Sequence, residues 1–97
     1  MNRQTILERL YAESPGLKAK YGIKSLAVFG SMARGDNQDT SDVDLLVTFE
    51  GKATFDRFMG LKLDLQDLFG KRVDLLTPKC LSPAMQAEID KEAILVP

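Results

Sequence analysis

The sequence predicts a small α/β domain in which helices pack against a mixed β-sheet. Three short apolar runs of strand length lie at residues 24–29, 42–50 and 72–77. Segments with apolar side chains at helical spacing lie before, between and after these runs. The second and third runs carry carboxylates, which we expect on a face or edge of the sheet that the helices leave open.

The N-terminal segment predicts two helices before the first strand. Residues 4–12 carry apolar side chains at helical spacing. Pro15 and Gly16 predict an interruption, because proline cannot donate the helical hydrogen bond. A short second helix is then expected over residues 17–21, ending at Gly22.

The first strand is predicted at residues 24–29 and, being uniformly apolar after its first residues, is expected to be buried on both faces. Residues 30–34 predict a tight turn that opens a short helix. A polar loop follows at residues 36–40, and the second strand is predicted at residues 42–50.

The C-terminal half predicts the main core helix and the rest of the sheet. Residues 54–69 present a broad apolar face, and Gly70 stands where a helix C-cap belongs. The third strand is predicted at residues 72–77. A last helix is predicted over residues 82–92, because Ser-Pro is a favoured start, and residues 94–96 are expected to add an edge strand.

The bulk composition limits the possible functions. The chain has 97 residues, a formal net charge of −1, one cysteine and no histidine. We expect a single domain spanning residues 1–97. The near-neutral charge, without a run of Lys or Arg, argues against long nucleic acids as substrates. Without histidine, zinc sites and histidine acid/base catalysis lack their usual ligands, which leaves oxygen-ligated magnesium as the natural metal.

Two further expectations follow from the same data. Residues 1–8 contain no apolar signal core, and no segment approaches the roughly 20 apolar residues of a membrane span, so we expect a cytoplasmic protein without membrane contact. Cys80 cannot form an intrachain disulfide, and we expect it to be a small buried residue.

The most informative motif joins a Gly-Ser turn to an Asp-x-Asp pair. Gly30 and Ser31 leave the first predicted strand, and Asp42 and Asp44 open the second. Because side chains alternate along a strand, both acids project from one face with Cα atoms roughly 6.5 to 7 Å apart. Asp74, in the third predicted strand, is a third candidate ligand. Burying such acids without partners would cost several kcal/mol. We therefore expect the three carboxylates to share a positively charged partner.

The Gly-Ser turn predicts a phosphate site. Gly30 permits close backbone approach, the Ser31 hydroxyl can donate to a phosphate oxygen, and backbone N–H groups at the start of the short helix can meet the same anion. The alternative is an ordinary strand-to-helix turn. Arg34 can add positive charge at a triphosphate, or it can pair with Asp36 or Asp39.

These residues resemble the nucleotidyltransferase superfamily of the DNA polymerase β type, whose signature is a Gly-Ser turn, a spacer, an Asp-x-Asp pair and a later third Asp. The chain is similar to the minimal nucleotidyltransferases of bacteria and archaea in length, spacer and the flanks at 33–35 and 41–42. The resemblance implies a polymerase β-like palm. It also implies two Mg²⁺ ions held by Asp42, Asp44 and Asp74, with Asp74 helping to activate the attacking hydroxyl.

For these acids the alternatives are turn or capping roles for Asp42 and Asp44, and a water-facing position at a strand edge for Asp74. The resemblance implies transfer of AMP from ATP to a hydroxyl, and implies an antitoxin that modifies a tyrosine of a HEPN-domain RNase toxin. Two other functions stay open. One is an antitoxin that only binds the toxin, and the other is transfer to a small molecule, which would normally need an added lobe. The residues do not distinguish a homo-oligomer from a hetero-oligomer, nor ATP from other nucleotides.

Overall fold

The computed structural model describes residues 2–38 and 40–97, and its helices and strands alternate along the chain. In order they are α1 (Arg3–Tyr21), β1 (Ile23–Phe29), α2 (Gly30–Arg34), β2 (Val43–Phe49), α3 (Phe55–Phe69), β3 (Val73–Leu76), a 3₁₀ turn (Pro78–Cys80), α4 (Pro83–Glu92) and β4 (Ile94–Val96). Within the described residues, four strands form one sheet in the order β3-β2-β1-β4. β1 runs antiparallel to β2 and β4, whereas β2 and β3 are parallel. The predicted mixed sheet is confirmed.

The helix α1 corrects the predicted break at Pro15, because it continues unbroken to Tyr21. Pro15 leaves the carbonyl of Tyr11 without its helical N–H partner. The Ser14 hydroxyl lies 3.3 Å from that carbonyl oxygen and 2.6 Å from the carbonyl oxygen of Pro97. Burial of the helix against the sheet offsets the local cost of proline, and α1 ends at Gly22 as predicted.

The hydrophobic core lies on one face of the sheet, under α1 and α3. Alternate residues of β2 are buried there, as are the apolar stripes of both helices. Fully buried side chains of this core include Ile6, Leu10, Leu26, Val28, Leu45, Val47, Leu61, Leu65 and Phe69. α3 matches the predicted core helix, with Thr54 as its N-cap and Gly70 as its C-cap.

The opposite face of the sheet is only partly covered. Leu26 and Val28 of β1 are fully buried, but Ala27 and Phe29, which alternate with them along the strand, are only half-buried. The expectation that β1 is buried on both faces is therefore wrong. The α1 and α3 layer covers one side, and α4 covers only part of the other.

Arg57 of α3 ties together three chain segments. Its guanidinium donates to the carbonyl oxygens of Tyr21 at 2.8 Å, Gly22 at 2.7 Å and Lys52 at 2.6 Å. It also lies over the ring of Phe49, 4.8 Å from the ring centre. The contact with Tyr21 satisfies a carbonyl at the end of α1, where the helix has no further N–H donors. The Gly22 carbonyl also accepts from the Glu50 N–H at 2.7 Å.

Three remaining predictions concern the C-terminal half. α4 ends at Glu92, and β4 pairs with β1 at the sheet edge, both as predicted. Cys80, by contrast, is exposed, with its Sγ 3.4 Å from the Thr77 hydroxyl, so the expected buried cysteine is wrong. The 3₁₀ turn that follows β3 holds it at the surface.

Among the described helices, none combines the length and apolar character that a membrane crossing requires.

Candidate active site

The open face of the sheet carries two carboxylates on neighbouring strands. Asp44 of β2 and Asp74 of β3 are direct partners in the parallel register. Val43 and Leu45, on either side of Asp44, are buried in the core, so side-chain alternation directs Asp44 to the opposite face. β3 is an edge strand and Asp74 is exposed, whereas Asp44 is half-buried.

Asp42 lies where the same two strands begin. It directly precedes β2 and is two residues before Asp44. The Val43 N–H donates to the carbonyl of Arg72 at 3.1 Å, which fixes the start of β2 against β3. The Arg72 guanidinium stands 3.9 Å from the Asp42 carboxylate, and both side chains are substantially exposed. Such a pair contributes little to stability and leaves Asp42 accessible to a cation.

The turn at Gly30 that joins β1 to α2, here called the Gly30 turn, lies directly against Asp44. Phe29, the last residue of β1, pairs with Asp44, and α2 begins immediately afterwards. Gly30 has a φ of 69°, in the left-handed region, and a Cβ at this position would overlap the Asp44 carboxylate. Glycine is therefore required here both by backbone conformation and by space. The antiparallel pairing of β1 and β2 thus places the predicted phosphate turn beside the predicted metal ligands.

Burial and mutual repulsion shift the titration of Asp44. Burial, followed by the neighbouring negative charges of Asp74 and Asp42, raises the pKa of this carboxyl from 3.8 to about 6. Arg34 opposes the shift and Glu92 reinforces it. The three predicted ligands therefore share one electrostatic environment, in which a bound cation would favour the ionised form of Asp44.

The donor set fits magnesium in its chemistry. Asp42, Asp44 and Asp74 offer only carboxylate oxygens, which are the ligands that Mg²⁺ prefers. Within residues 2–38 and 40–97, no three acidic, histidine or cysteine side chains already converge closely enough to hold a metal ion. The backbone places the three acids on adjacent strands, and their convergence on a cation requires rotation of the side chains.

Ser31 and Arg34 belong to the five-residue helix α2. The Ser31 carbonyl accepts from the Gly35 N–H at 2.8 Å, which closes the helix. Arg34 pairs with acidic side chains: its Nε lies 3.0 Å from Asp36 and its Nη1 lies 3.0 Å from Glu92. The sequence analysis predicted either a triphosphate role for Arg34 or pairing with Asp36 or Asp39, and the structure shows the pairing with Asp36. The other candidate partner, Asp39, lies outside the described residues.

Glu92 is a member of this cluster that the sequence analysis missed. Its carboxylate accepts from the Gly30 N–H at 3.1 Å and from Arg34 at 3.0 Å. Its side chain is only 19% exposed. No local motif marks Glu92; the pairing of Val28 with Ile94 places the end of α4 beside the end of β1. Only this long-range contact brings the glutamate to the turn.

The family of the chain is shown by comparison with known proteins. A sequence model of the nucleotidyltransferase domain matches residues 14–96, which include all four strands. The chain belongs to the nucleotidyltransferase domain family. The Gly-Ser turn and the three carboxylates lie within the matched segment.

Relatives of this nucleotidyltransferase include archaeal proteins of similar length. A Methanocaldococcus jannaschii protein, provisionally named a protein adenylyltransferase, is 42% identical over 76 residues, which cover 77% of this chain and 81% of the relative. The protein adenylyltransferase MntA of Thermococcus cleftensis is 34% identical over 87 residues, covering 90% of this chain and 88% of the relative. Both matches span most of each protein.

Solved structures show the same fold. A structure provisionally described as a minimal nucleotidyltransferase superposes with a TM-score of 0.84 at 38% identity, covering 97% of this chain and 95% of that one. A chain in the complex of tri-AMPylated Shewanella oneidensis HEPN toxin with MNT antitoxin has a TM-score of 0.67 at 14% identity, covering 97% and 71%. At that identity the second likeness concerns the fold alone.

A cavity of about 450 Å³ opens between the Gly30 turn and α4 of the nucleotidyltransferase. Gly30, Arg34 and Asp44 line one side, and Met85 and Glu88 face them from α4. This volume is within the usual range for small-molecule sites. The cavity therefore joins the predicted phosphate turn to a partly apolar wall.

Arg3 supports the turn from the other side and was also missed by the sequence analysis. Its Nε donates to the carbonyl oxygen of Met32 at 2.5 Å, and its Nη2 donates to that of Ala33 at 3.4 Å. These carbonyls lie toward the C-terminal end of α2, where helical N–H partners are lacking. Arg3 thus ties the start of α1 to the short helix that carries Ser31.

Proposed function

We propose that this nucleotidyltransferase moves AMP from ATP to a protein hydroxyl in a magnesium-dependent reaction. One observation carries the proposal: the sheet register puts Asp44 beside Asp74 and against the Gly30 turn. Two carboxylates that can bind cations therefore lie next to a turn that can bind phosphate. Relatives at 42% and 34% identity named as protein adenylyltransferases support AMP as the transferred group.

The proposed roles follow from position in the sheet. Asp42 and Asp44 would hold magnesium with the nucleotide, and Asp74 would complete the site on the side of the acceptor. When bound, two such ions activate an attacking oxygen and stabilise the charge that develops on the leaving pyrophosphate. Gly30 and Ser31 would bind the phosphates through the backbone N–H and the hydroxyl.

The proposed acceptor is a tyrosine of a HEPN-domain toxin, so that the protein acts as its antitoxin. Asp74 is exposed on the edge strand β3, and a protein hydroxyl can reach it from solvent. The fold is shared with a chain from a complex in which a HEPN toxin is tri-AMPylated. The location we propose for the protein is the cytoplasm.

The test is incubation of the purified protein with magnesium, ATP and a HEPN-domain toxin encoded beside its gene. We expect mass spectrometry to find an adenylyl group on a toxin tyrosine, together with loss of RNase activity. Orientation of the acceptor by a protein surface can contribute several kcal/mol to a bimolecular transfer, so free tyrosine should be a much poorer acceptor.

The control is the double variant Asp42→Ala and Asp44→Ala, which removes the proposed ligands. It should fold and should not modify the toxin. Toxin that stays unmodified yet inhibited, with both the wild type and the double variant, would instead establish the alternative of an antitoxin that acts by binding alone.

A further inference from the structure

The Glu92 carboxylate occupies hydrogen-bond donors that an anionic substrate would need. It accepts from the Gly30 N–H at 3.1 Å and from the Arg34 guanidinium at 3.0 Å. Charge-assisted hydrogen bonds of this type are stronger than neutral ones. A phosphate group approaching the turn therefore meets donors that already have an anionic partner.

The backbone at Glu92 is fixed, whereas its side chain can move. Glu92 is the last residue of α4, and Ile94 two residues later pairs with Val28 in the sheet. Ile89, one turn earlier in α4, is buried. The carboxylate reaches Gly30 through a flexible side chain and borders the cavity of about 450 Å³ into which it can rotate.

We propose that Glu92 holds the phosphate-binding donors of the nucleotide-free protein and that the triphosphate displaces it on binding. This inference rests on the proposed function, because it takes the Gly30 turn as the phosphate site. Glu92 then sets the affinity for nucleotide: part of the binding free energy is used to separate its carboxylate from Gly30 and Arg34. Once Glu92 is displaced, the Nη1 group of Arg34 is available to a phosphate oxygen, while its Nε keeps its contact with Asp36.

The test compares Glu92→Gln with Glu88→Gln. Both substitutions remove one negative charge from α4 beside the same cavity, but within the described residues Glu88 has no hydrogen bond or ion pair to Gly30 or Arg34. Calorimetry with magnesium and either ATP or inorganic triphosphate should show about 5- to 10-fold tighter binding by Glu92→Gln, since a charged acceptor no longer competes. Glu88 lines the same cavity, so Glu88→Gln measures what the loss of one negative charge contributes without freeing a donor, and we expect it to tighten binding by at most about twofold.

The wild-type protein provides a second measurement that does not depend on a variant. By NMR, addition of inorganic triphosphate should shift both the Gly30 amide resonance and the Glu92 carboxyl resonance. A Glu92 carboxyl resonance that does not move, or a Glu92→Gln variant that binds no tighter than Glu88→Gln, overturns the displacement. Failure of the wild type to bind ATP or triphosphate would overturn the proposed function itself, and the displacement with it.

Discussion

Replacing Asp44 by asparagine should stabilise the metal-free protein. Burial and neighbouring carboxylates raise the Asp44 pKa from 3.8 to about 6. Between these values the folded protein keeps a proton that the unfolded chain loses, so stability falls as the pH rises through this window. Above about pH 6 the whole penalty is present, and below about pH 4 it is absent.

The size of the effect follows from the shift of about 2 pKa units. At 1.36 kcal/mol per unit, ionised Asp44 costs the folded state up to about 3 kcal/mol. Salt screens part of the repulsion, and the asparagine amide must find its own partners, so we expect a gain of about 1 to 3 kcal/mol at pH 7.5. For a domain of this length, that corresponds to a rise in Tm of roughly 5 to 20 °C.

The assay is thermal and urea unfolding followed by circular dichroism in EDTA, at pH 7.5 and again near pH 4. The difference between Asp44→Asn and the wild type should be large at the higher pH and should shrink at the lower. The exposed Asp67→Asn provides the control and should change stability by less than about 0.5 kcal/mol. A variant no more stable than the wild type at pH 7.5 would refute the reasoning.

Three further substitutions test other parts of the structure. Asp74→Asn should retain most magnesium-ATP affinity and lose transfer by at least about 100-fold, measured by calorimetry and by labelling of the acceptor; equal loss of both would make Asp74 an ordinary ligand. Gly30→Ala should weaken ATP binding at least about 10-fold, because its Cβ would overlap the Asp44 carboxylate, and unchanged affinity would contradict the geometry of the turn. Arg57→Ala should lower the free energy of unfolding by about 2 kcal/mol, because three carbonyl oxygens lose a charged donor; a change below about 0.5 kcal/mol in urea unfolding would show that water replaces it.

The placement of the candidate ligands on β2 and of the turn after β1 was predictable because their signals are local. Alternation along β2 places Asp44 on the face opposite to Val43 and Leu45 in any strand of this sequence. A glycine followed by serine at the end of an apolar strand similarly predicts a turn with exposed backbone donors. Short-range rules also predicted most element boundaries, because caps such as Thr54 and Gly70 act on the nearest helical turn.

The continuity of α1 and the exposure of Cys80 were less predictable. Pro15 disfavours a helix locally, yet packing of α1 on the sheet and the Ser14 hydroxyl maintain one continuous helix. Cysteine is a residue type that is usually buried, but the position of Cys80 in a 3₁₀ turn leaves it in solvent. In both cases the local preference is worth a few kcal/mol at most, and long-range packing outweighs it.

The sequence by itself determined which functional groups the protein possesses: a Gly-Ser turn, three carboxylates on apolar strands, and an arginine beside the turn. Only the tertiary structure decided which of them meet. The parallel register pairs Asp44 with Asp74, and the pairing of β4 with β1 delivers Glu92 to Gly30 across 62 positions of the chain. The physical reason is that strand pairing and core burial act between residues far apart in sequence, where no local pattern records the contact.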